Sequence, residues 1–356
     1  MKREKPNIFI IGSPWHAVIA EAMSRENDIY IIEYATDSNL DAIKLAITEH
    51  SKIFLSIKGA LFYFSTASKK LFLNSSRIKN EARSIKAKVM GLEANNLYLF
   101  NINSQFSLYC SNLISNNKTV KIEDGVCDYL TFNLVPENGF SRFVKKFISN
   151  VFGMKNIHFP KKIDVHESYF FYPERAPDNH IGKKSLFGYV DLINAKLAEL
   201  DTPHLGKTNN DVLIIGQTMY EDRYCSLEDE MEFYLLISQK MLKTGNKKIY
   251  FKPHPRTSLK KQLLLESFEK KKCFTLLKTE LLVEGILSKH DFSYIFGMWS
   301  NPIIYSRPLF NINSFTMIPH LLEIKNNLFL SKINDEMVRI FSEFYIDYRT
   351  LDEYRD

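Results

Sequence analysis

The chain is poor in cysteine, with Cys110, Cys127, Cys225 and Cys273 its four in 356 residues. They fall in no metal-ligand spacing and are too few for a disulfide framework, so free thiols in a reducing cytoplasm are expected. Long apolar runs are missing as well. The basic start Met1-Lys2-Arg3-Glu4-Lys5-Pro6 leads only into Ile8-Phe9-Ile10-Ile11 before Gly12. That is too short for the apolar core of a signal peptide, and nothing approaches the ~20 apolar residues of a spanning helix. The sequence has no Asp-x-Asp tripeptide and no His-x-x-x-His pair to bind a metal. Repeats, heptads and low-complexity tracts are absent. Charge of one sign is in small excess, +6 overall and spread out, which suits acidic small ligands or contact with anionic lipid and argues against wrapping nucleic acid.

What is present is enough apolar residue, 45% of the chain, to bury two cores of about 150 to 180 residues each. The first half alternates strand and helix. Ile8 to Ile11 runs through Gly12-Ser13-Pro14-Trp15-His16 into a helical pattern from Ala17. Further strands are expected at 29–33, 53–56 and 97–102, and helices at 38–49, 76–94 and 105–116. The second half repeats the alternation with a strand at 212–215, a helix at 228–243, a strand at 248–251 and a helix at 258–270. Such alternation predicts α/β domains with mostly parallel sheets. A turn after a first strand is where α/β proteins place ligands, so Ser13 and His16 are candidate ligand contacts, unless Trp15 and His16 simply close the apolar start of the helix. Residues 140–156 mix aromatics and lysine at helical spacing, as a lipid-facing surface or as a helix packed on the core by one face. The stretch from 157 to 210 reads as irregular, with Tyr172-Pro173-Glu174-Arg175-Ala176-Pro177-Asp178-Asn179 as a crossing between domains.

Three segments carry chemistry. In Lys252-Pro253-His254-Pro255-Arg256 two prolines confine a histidine where an apolar strand ends, and the flanking cations suit a phosphate-bearing ligand. A stiffened turn whose imidazole caps a carbonyl is the alternative. Thr119-Val120-Lys121-Ile122 runs into Glu123-Asp124-Gly125, and adjacent carboxylates at a strand end point to opposite sides, so one can serve as a base while the other holds the turn. Acidic residues before glycine also occur for backbone reasons alone. Asp291 to Gly297 leads into Met298-Trp299-Ser300-Asn301-Pro302, either an anion site at a helix start or an ordinary N-cap.

In this order and spacing the three segments resemble the bacterial sialyltransferases that share an acidic-acidic-glycine motif, a His-Pro motif and a serine-rich motif, among them the capsular polysialyltransferases and lipooligosaccharide sialyltransferases. The likeness is best over 211–305 and rests upstream on Glu123-Asp124-Gly125 alone. It implies a GT-B fold, two Rossmann-like domains facing across a cleft, with 1–205 as acceptor domain and 206–356 as the domain for CMP-sialic acid. By the same resemblance Asp124 is the general base with Glu123 its neighbour, and His254 contacts and protonates the departing phosphate. Ser300 corresponds to the first of two phosphate-binding hydroxyls, Asn301 replaces the second, and Glu284 holds the ribose. Gly216, Gln217 and Thr218 match a loop lining the donor cleft, with Lys252 and Pro255 beside it, and Tyr220 stands where some relatives have tryptophan. In lipooligosaccharide-specific members the base lies elsewhere, which points here to Glu221 or Asp222.

The implied reaction is inverting, metal-independent transfer of sialic acid from CMP-sialic acid to a bacterial surface glycan, with no cofactor beyond the donor. Displacement at the anomeric carbon passes through an oxocarbenium-like state and needs a base for the nucleophile and stabilisation of the leaving phosphate. The expected partners are donor and glycan acceptor and no nucleic acid. Peripheral contact with the inner membrane and a homodimer are compatible with this reading. The alternatives are a GT-B enzyme with another nucleotide sugar, such as a Kdo or hexosyl donor, and a non-catalytic glycan-binding protein of capsule assembly.

Overall fold

The computed structural model describes residues 4–34, 36–48, 52–58, 75–131, 146–147, 161–203, 205, 210–243, 245, 248–278, 280–324 and 327–354. The chain divides into two compact units, Met1–Asp128 with Phe132–Lys196, and Tyr129–Thr131 with Leu197–Asp356.

In the first unit the strands are β1 (Ile8–Ile11), β2 (Ile29–Tyr34), β3 (Ile53–Lys58), β4 (Glu93–Leu99), β5 (Ser115–Ile122), β6 (Glu167–Phe170) and β7 (Lys183–Ser185). They pair in the order β3-β2-β1-β4-β5-β6-β7, and every pairing is parallel. Parallel neighbours need long crossovers, supplied among the described residues by α1 (Pro14–Met23), α2 (Asp37–Leu45), α3 (Ser75–Val89) and α4 (Gln105–Ser111). The run Ile8 to Ile11 is buried throughout because both faces of the sheet are covered. Ile78, Ala82, Ile85 and Val89 of α3 pack with Ile8, Ile10, Ile31, Leu97 and Leu99 in the core. The chain moves outward from β1 to β3 and returns beside β1 as β4, so a topological switch point lies between β1 and β4.

The second unit repeats this winding. After α5 (Val190–Glu199) come β8 (Asp211–Ile215), α6 (Leu227–Lys243), β9 (Ile249–Lys252), α7 (Leu259–Lys270), β10 (Thr275–Leu276), α8 (Val283–Leu287), β11 (Phe292–Gly297), α9 (Asn301–Phe310), β12 (Asn313–Thr316), α10 (Ile318–Ile324), α11 (Leu328–Phe341) and β13 (Ile346–Asp347). The order is β10-β9-β8-β11-β12-β13, all parallel, with the switch point between β8 and β11. Its core gathers Val212, Ile214, Phe251, Phe296 and Phe315 from the strands with Met231, Tyr234, Ile237 and Leu265 from the helices. Each unit is a Rossmann-like α/β domain, and the pair makes up the expected GT-B fold class.

Two readings of the sequence change. The stretch taken as irregular holds β6, β7 and α5, and Tyr172–Asn179 lies between β6 and β7 inside the first unit rather than crossing between domains. Three- and four-residue strands such as Lys183-Lys184-Ser185 are too short and polar to show a period. The aromatic and lysine segment 140–156 falls outside the described residues except for Lys146 and Phe147. Among the described residues no helix is long and apolar enough to cross a membrane.

Glycine at the end of β8 is a packing requirement. A Cβ on Gly216 would lie 3.0 Å from two ring carbons of Phe251 and 3.2 Å from the Lys252 carbonyl oxygen, and the backbone contact cannot be relieved by turning a side chain. Gly216→Ala is expected to cost about 1–3 kcal/mol, read as a lower midpoint with unchanged slope in urea unfolding.

Candidate active site

In the first unit the site is built where β5 leaves the sheet. Gly125 has φ of 143°, a backbone that side-chain-bearing residues rarely adopt, and this turns the chain directly after the two acids. Glu123 is buried and acts as an extension of the sheet. Its N–H donates to the Tyr169 carbonyl (2.9 Å) and its Oε2 accepts the Phe171 N–H (2.8 Å). Asp124 points the other way and keeps a third of its side chain exposed (33%). Its Oδ1 lies 2.6 Å from His16 Nε2, and its N–H donates to Asp128 Oδ2 (2.6 Å). The same Asp128 oxygen receives Lys121 Nζ (2.6 Å), and this buried ammonium also donates to the carbonyls of Phe100 (2.5 Å) and Ile122 (3.1 Å). Burial pushes the Asp124 carboxyl up, but the His16 ring, its hydrogen bond, Lys121 and Asn101 together hold it below the usual aspartate value.

His16 is fixed from three sides. Its Nδ1 accepts the Gly12 N–H (3.1 Å), its ring stacks on Phe100 (centroids 4.1 Å, planes 6° apart), and Ser13 Oγ, the N-cap of α1, accepts the His16 N–H (3.2 Å). Because Nδ1 accepts from a backbone donor, the neutral ring carries its proton on Nε2 and donates it to Asp124. Ser13 therefore serves as a cap, while His16 joins β1 to the acid after β5. Trp15 does close the start of the helix, buried and stacked on Phe171 (6.1 Å).

In the second unit the candidate residues lie after the carboxyl ends of β9, β8 and β11, three neighbours in the sheet. His254 Nδ1 accepts the Arg256 N–H (3.0 Å), so its neutral ring also presents an Nε2–H. Burial, then the charges of Arg256, Lys252 and Lys261, push His254 down to about 4 against a smaller opposing effect of Asp222. Lys252 is buried, donates to the Pro253 carbonyl (3.1 Å) and is pushed down by burial to about 8, with Glu280 and Glu284 opposing. Burial raises Glu284, on α8, to about 7 while its own backbone N–H and Lys252 pull it down. Ser300 is the N-cap of α9 but makes no capping bond, and its Oγ is buried without a hydrogen-bond partner among the described residues. A buried hydroxyl at the start of a ten-residue helix, where the helix dipole is positive, fits an anionic group. Asn301 and Pro302 open that helix, and Pro255 is exposed.

The loop after β8 is tied inward. Gly216 N–H donates to the Lys252 carbonyl (2.9 Å), Gln217 N–H to Tyr234 Oη (3.1 Å), and Thr218 Oγ1 to Asp222 Oδ2 (2.5 Å). Arg256 reaches Thr218 Oγ1 (3.1 Å) and Asp222 (3.4 Å). Glu221 accepts the Ser258 N–H (2.8 Å) at the start of α7. At the centre is Lys261, fully buried, which donates to the Gln217 carbonyl, to Glu230 Oε1 (2.5 Å) and to Glu221 Oε2 (3.3 Å). Glu230 in turn receives Tyr234 Oη (2.7 Å) and the Tyr220 N–H (3.0 Å). Asp222 thus holds the loop to the His-Pro segment through Arg256, and Glu221 holds it to the start of α7. Among the described residues no group of three or more His, Cys, Asp or Glu is arranged to hold a metal ion.

Sequence reading missed Lys261, Lys121 and Phe100. The one sign of Lys261 is its spacing of four from Leu265, also fully buried, on one face of α7.

Residues 7–319 match the family model described as Alpha-2,8-polysialyltransferase (POLYST). A search of curated proteins finds no match. Among solved structures the chain is similar to UDP-N-acetylglucosamine 2-epimerase from Rickettsia bellii at 12% identity over 96% of this chain and 89% of that one (TM-score 0.47). It is also similar to E. coli heptosyltransferase WaaC with ADP at 9% identity over 87% and 86% of the two chains (TM-score 0.42). Likenesses this distant say nothing of substrate or mechanism.

Removing the Lys261 ammonium would leave the fully buried Glu230, and Glu221 in the same network, without their cation. Lys261→Met is expected to lower stability by about 3–5 kcal/mol, measured by chemical unfolding.

Proposed function

Because the chain belongs to the alpha-2,8-polysialyltransferase family, and is thus a sialyltransferase taking a nucleotide-sugar donor and a glycan acceptor, we propose that it moves sialic acid from CMP-sialic acid onto a sialylated bacterial surface glycan by one inverting displacement. In this reading the first unit carries the acceptor and the base, and the second carries the donor. The acceptor hydroxyl oxygen attacks the anomeric carbon as the bond from that carbon to the phosphate oxygen breaks. The electron pair leaves with CMP, and the hydroxyl proton passes to Asp124.

The observation that carries this reading is the 2.6 Å contact of His16 with Asp124. An imidazole N–H donated from Nε2 fixes the direction of the carboxylate and favours its ionised form. On the donor side His254 Nε2–H, the Lys252 ammonium, Ser300 Oγ and the positive end of the α9 dipole are assigned to the phosphate. His254 is neutral at pH 7 and donates a hydrogen bond, and an arriving phosphate raises its proton affinity by opposite charge. Glu284, close enough to feel Lys252, is assigned to the ribose hydroxyls. Glu221 and Asp222 are struts in this scheme. Since a monophosphate leaving group is neutralised by the Lys252 ammonium and these donors, the proposal requires no divalent cation.

Purified protein in EDTA should release CMP from CMP-sialic acid in the presence of a sialylated acceptor. Asp124→Asn should lower that rate by about 10²–10⁴-fold, while Asp222→Asn should stay within about tenfold of wild type. An active Asp124→Asn protein, or loss of all transfer in EDTA, would overturn the assignment.

A further inference from the structure

A third carboxyl group belongs to the Asp124 site by construction. Glu33 lies near the end of β2, one residue past Ile32, which pairs with Ile11 immediately before Gly12. It is buried at 7% exposure, an unusual position for a strand-end glutamate. Ser104 Oγ donates to its Oε2 (3.1 Å). Ser104 is one end of a short loop after β4 whose other members hold the base. Phe100 stacks on His16 and its carbonyl receives Lys121, and the Asn101 side chain bonds Asp124. Asn101 Oδ1 closes the loop by accepting the N–H of Ser104 (2.9 Å) and of Asn103 (3.0 Å). One five-residue loop therefore grips Glu33 at one end and Asp124 with His16 at the other.

We propose that Glu33 is a positioning residue of this site, whose charge sets how strongly Asp124 takes up a proton. The inference rests on the reading of Asp124 as base. The surroundings make the charge variable. Burial raises the Glu33 carboxyl to about 7, the Ser104 hydrogen bond pulls the other way, and the Asp124 charge adds to the rise. The other groups around it are Lys121 behind Asp124, His16 on α1, and Cys110 on α4, whose thiol burial and then Glu33 itself push up. Beyond the strand end is the exposed Lys58–Asp37 pair (3.1 Å). Below about pH 7 Glu33 holds its proton and is neutral. Above it, Glu33 is an anion, and by reciprocity its charge makes Asp124 the stronger base. Ionisation thus favours proton abstraction as pH rises through neutrality.

The test compares wild type with Glu33→Gln, which keeps an acceptor for Ser104 and removes the charge. Glu284 and Lys252 titrate alike in both proteins, so the ratio of wild-type to Glu33→Gln kcat/KM for CMP-sialic acid and a sialylated acceptor should rise across pH 6–8, by up to about tenfold for one unit of proton affinity, with Glu33→Asp closer to wild type. The difference between wild type and Glu33→Gln in the His16 imidazole ¹⁵N signals should step near pH 7. Being independent of turnover, that readout still tests Glu33 if the protein transfers no sialic acid, an outcome that would count against the proposed function instead. A ratio that stays flat across pH 6–8, together with His16 signals that follow pH alike in both proteins, would overturn the inference.

Discussion

Parallel strand pairing is the constraint on which the rest of this molecule depends. A strand that must run alongside its predecessor cannot be reached by a tight turn, so each is followed by a crossover and every carboxyl end falls on the same edge of its sheet. In both units the winding starts in the middle, goes to one side and then to the other. The loops on either side of each switch point therefore diverge and leave backbone donors and side chains open. His16 on one sheet, and Gln217 and Ser300 on the other, follow strands beside these switch points, and Asp124 and His254 follow the next strands, β5 and β9. Residues more than a hundred positions apart, such as His16 and Asp124, meet for that reason.

Each unit then spends a buried lysine to hold its key loop in shape. Lys121 ties Asp128 and two carbonyls beneath the acidic pair, and Lys261 ties Glu230, Glu221 and Gln217 beneath the loop after β8. A buried ammonium is costly unless its hydrogen bonds are made. Here each carries three bonds in different directions, so neither loop can shift without stranding a charge. The scaffold is specific at these two points for the same reason that it is vulnerable there.

The strand ends were legible in the sequence because β-branched and apolar runs stop at glycine, proline or paired acids, and those punctuation marks also bound the chemistry. Thr119 to Ile122 before Glu123, and Ile249 to Lys252 before Pro253, show it plainly. The lysines were not legible. Lys121 alternates with apolar neighbours as a solvent-facing strand residue would, and Lys261 stands in a helix beside Lys260, so both look like solvated residues until long-range partners are known. Glu33 was hidden likewise, since a carboxylate ending a strand ordinarily faces water. The short polar strands β6 and β7 carry too few residues for a period to emerge, and pairing along the sheet edge alone defines them.

The two histidines of this scheme share one device. His16 accepts from Gly12 and His254 from Arg256, each through Nδ1, so both rings are held as donors from the far nitrogen. A ring held in this way has only its far nitrogen turned to the site. At position 16 the task left to the imidazole is to offer one N–H in a set direction from a flat, stackable surface. A side-chain amide can do as much. On this geometry an amide of similar reach can stand in for the ring at position 16, whereas Gly12 and Phe100 set the direction itself.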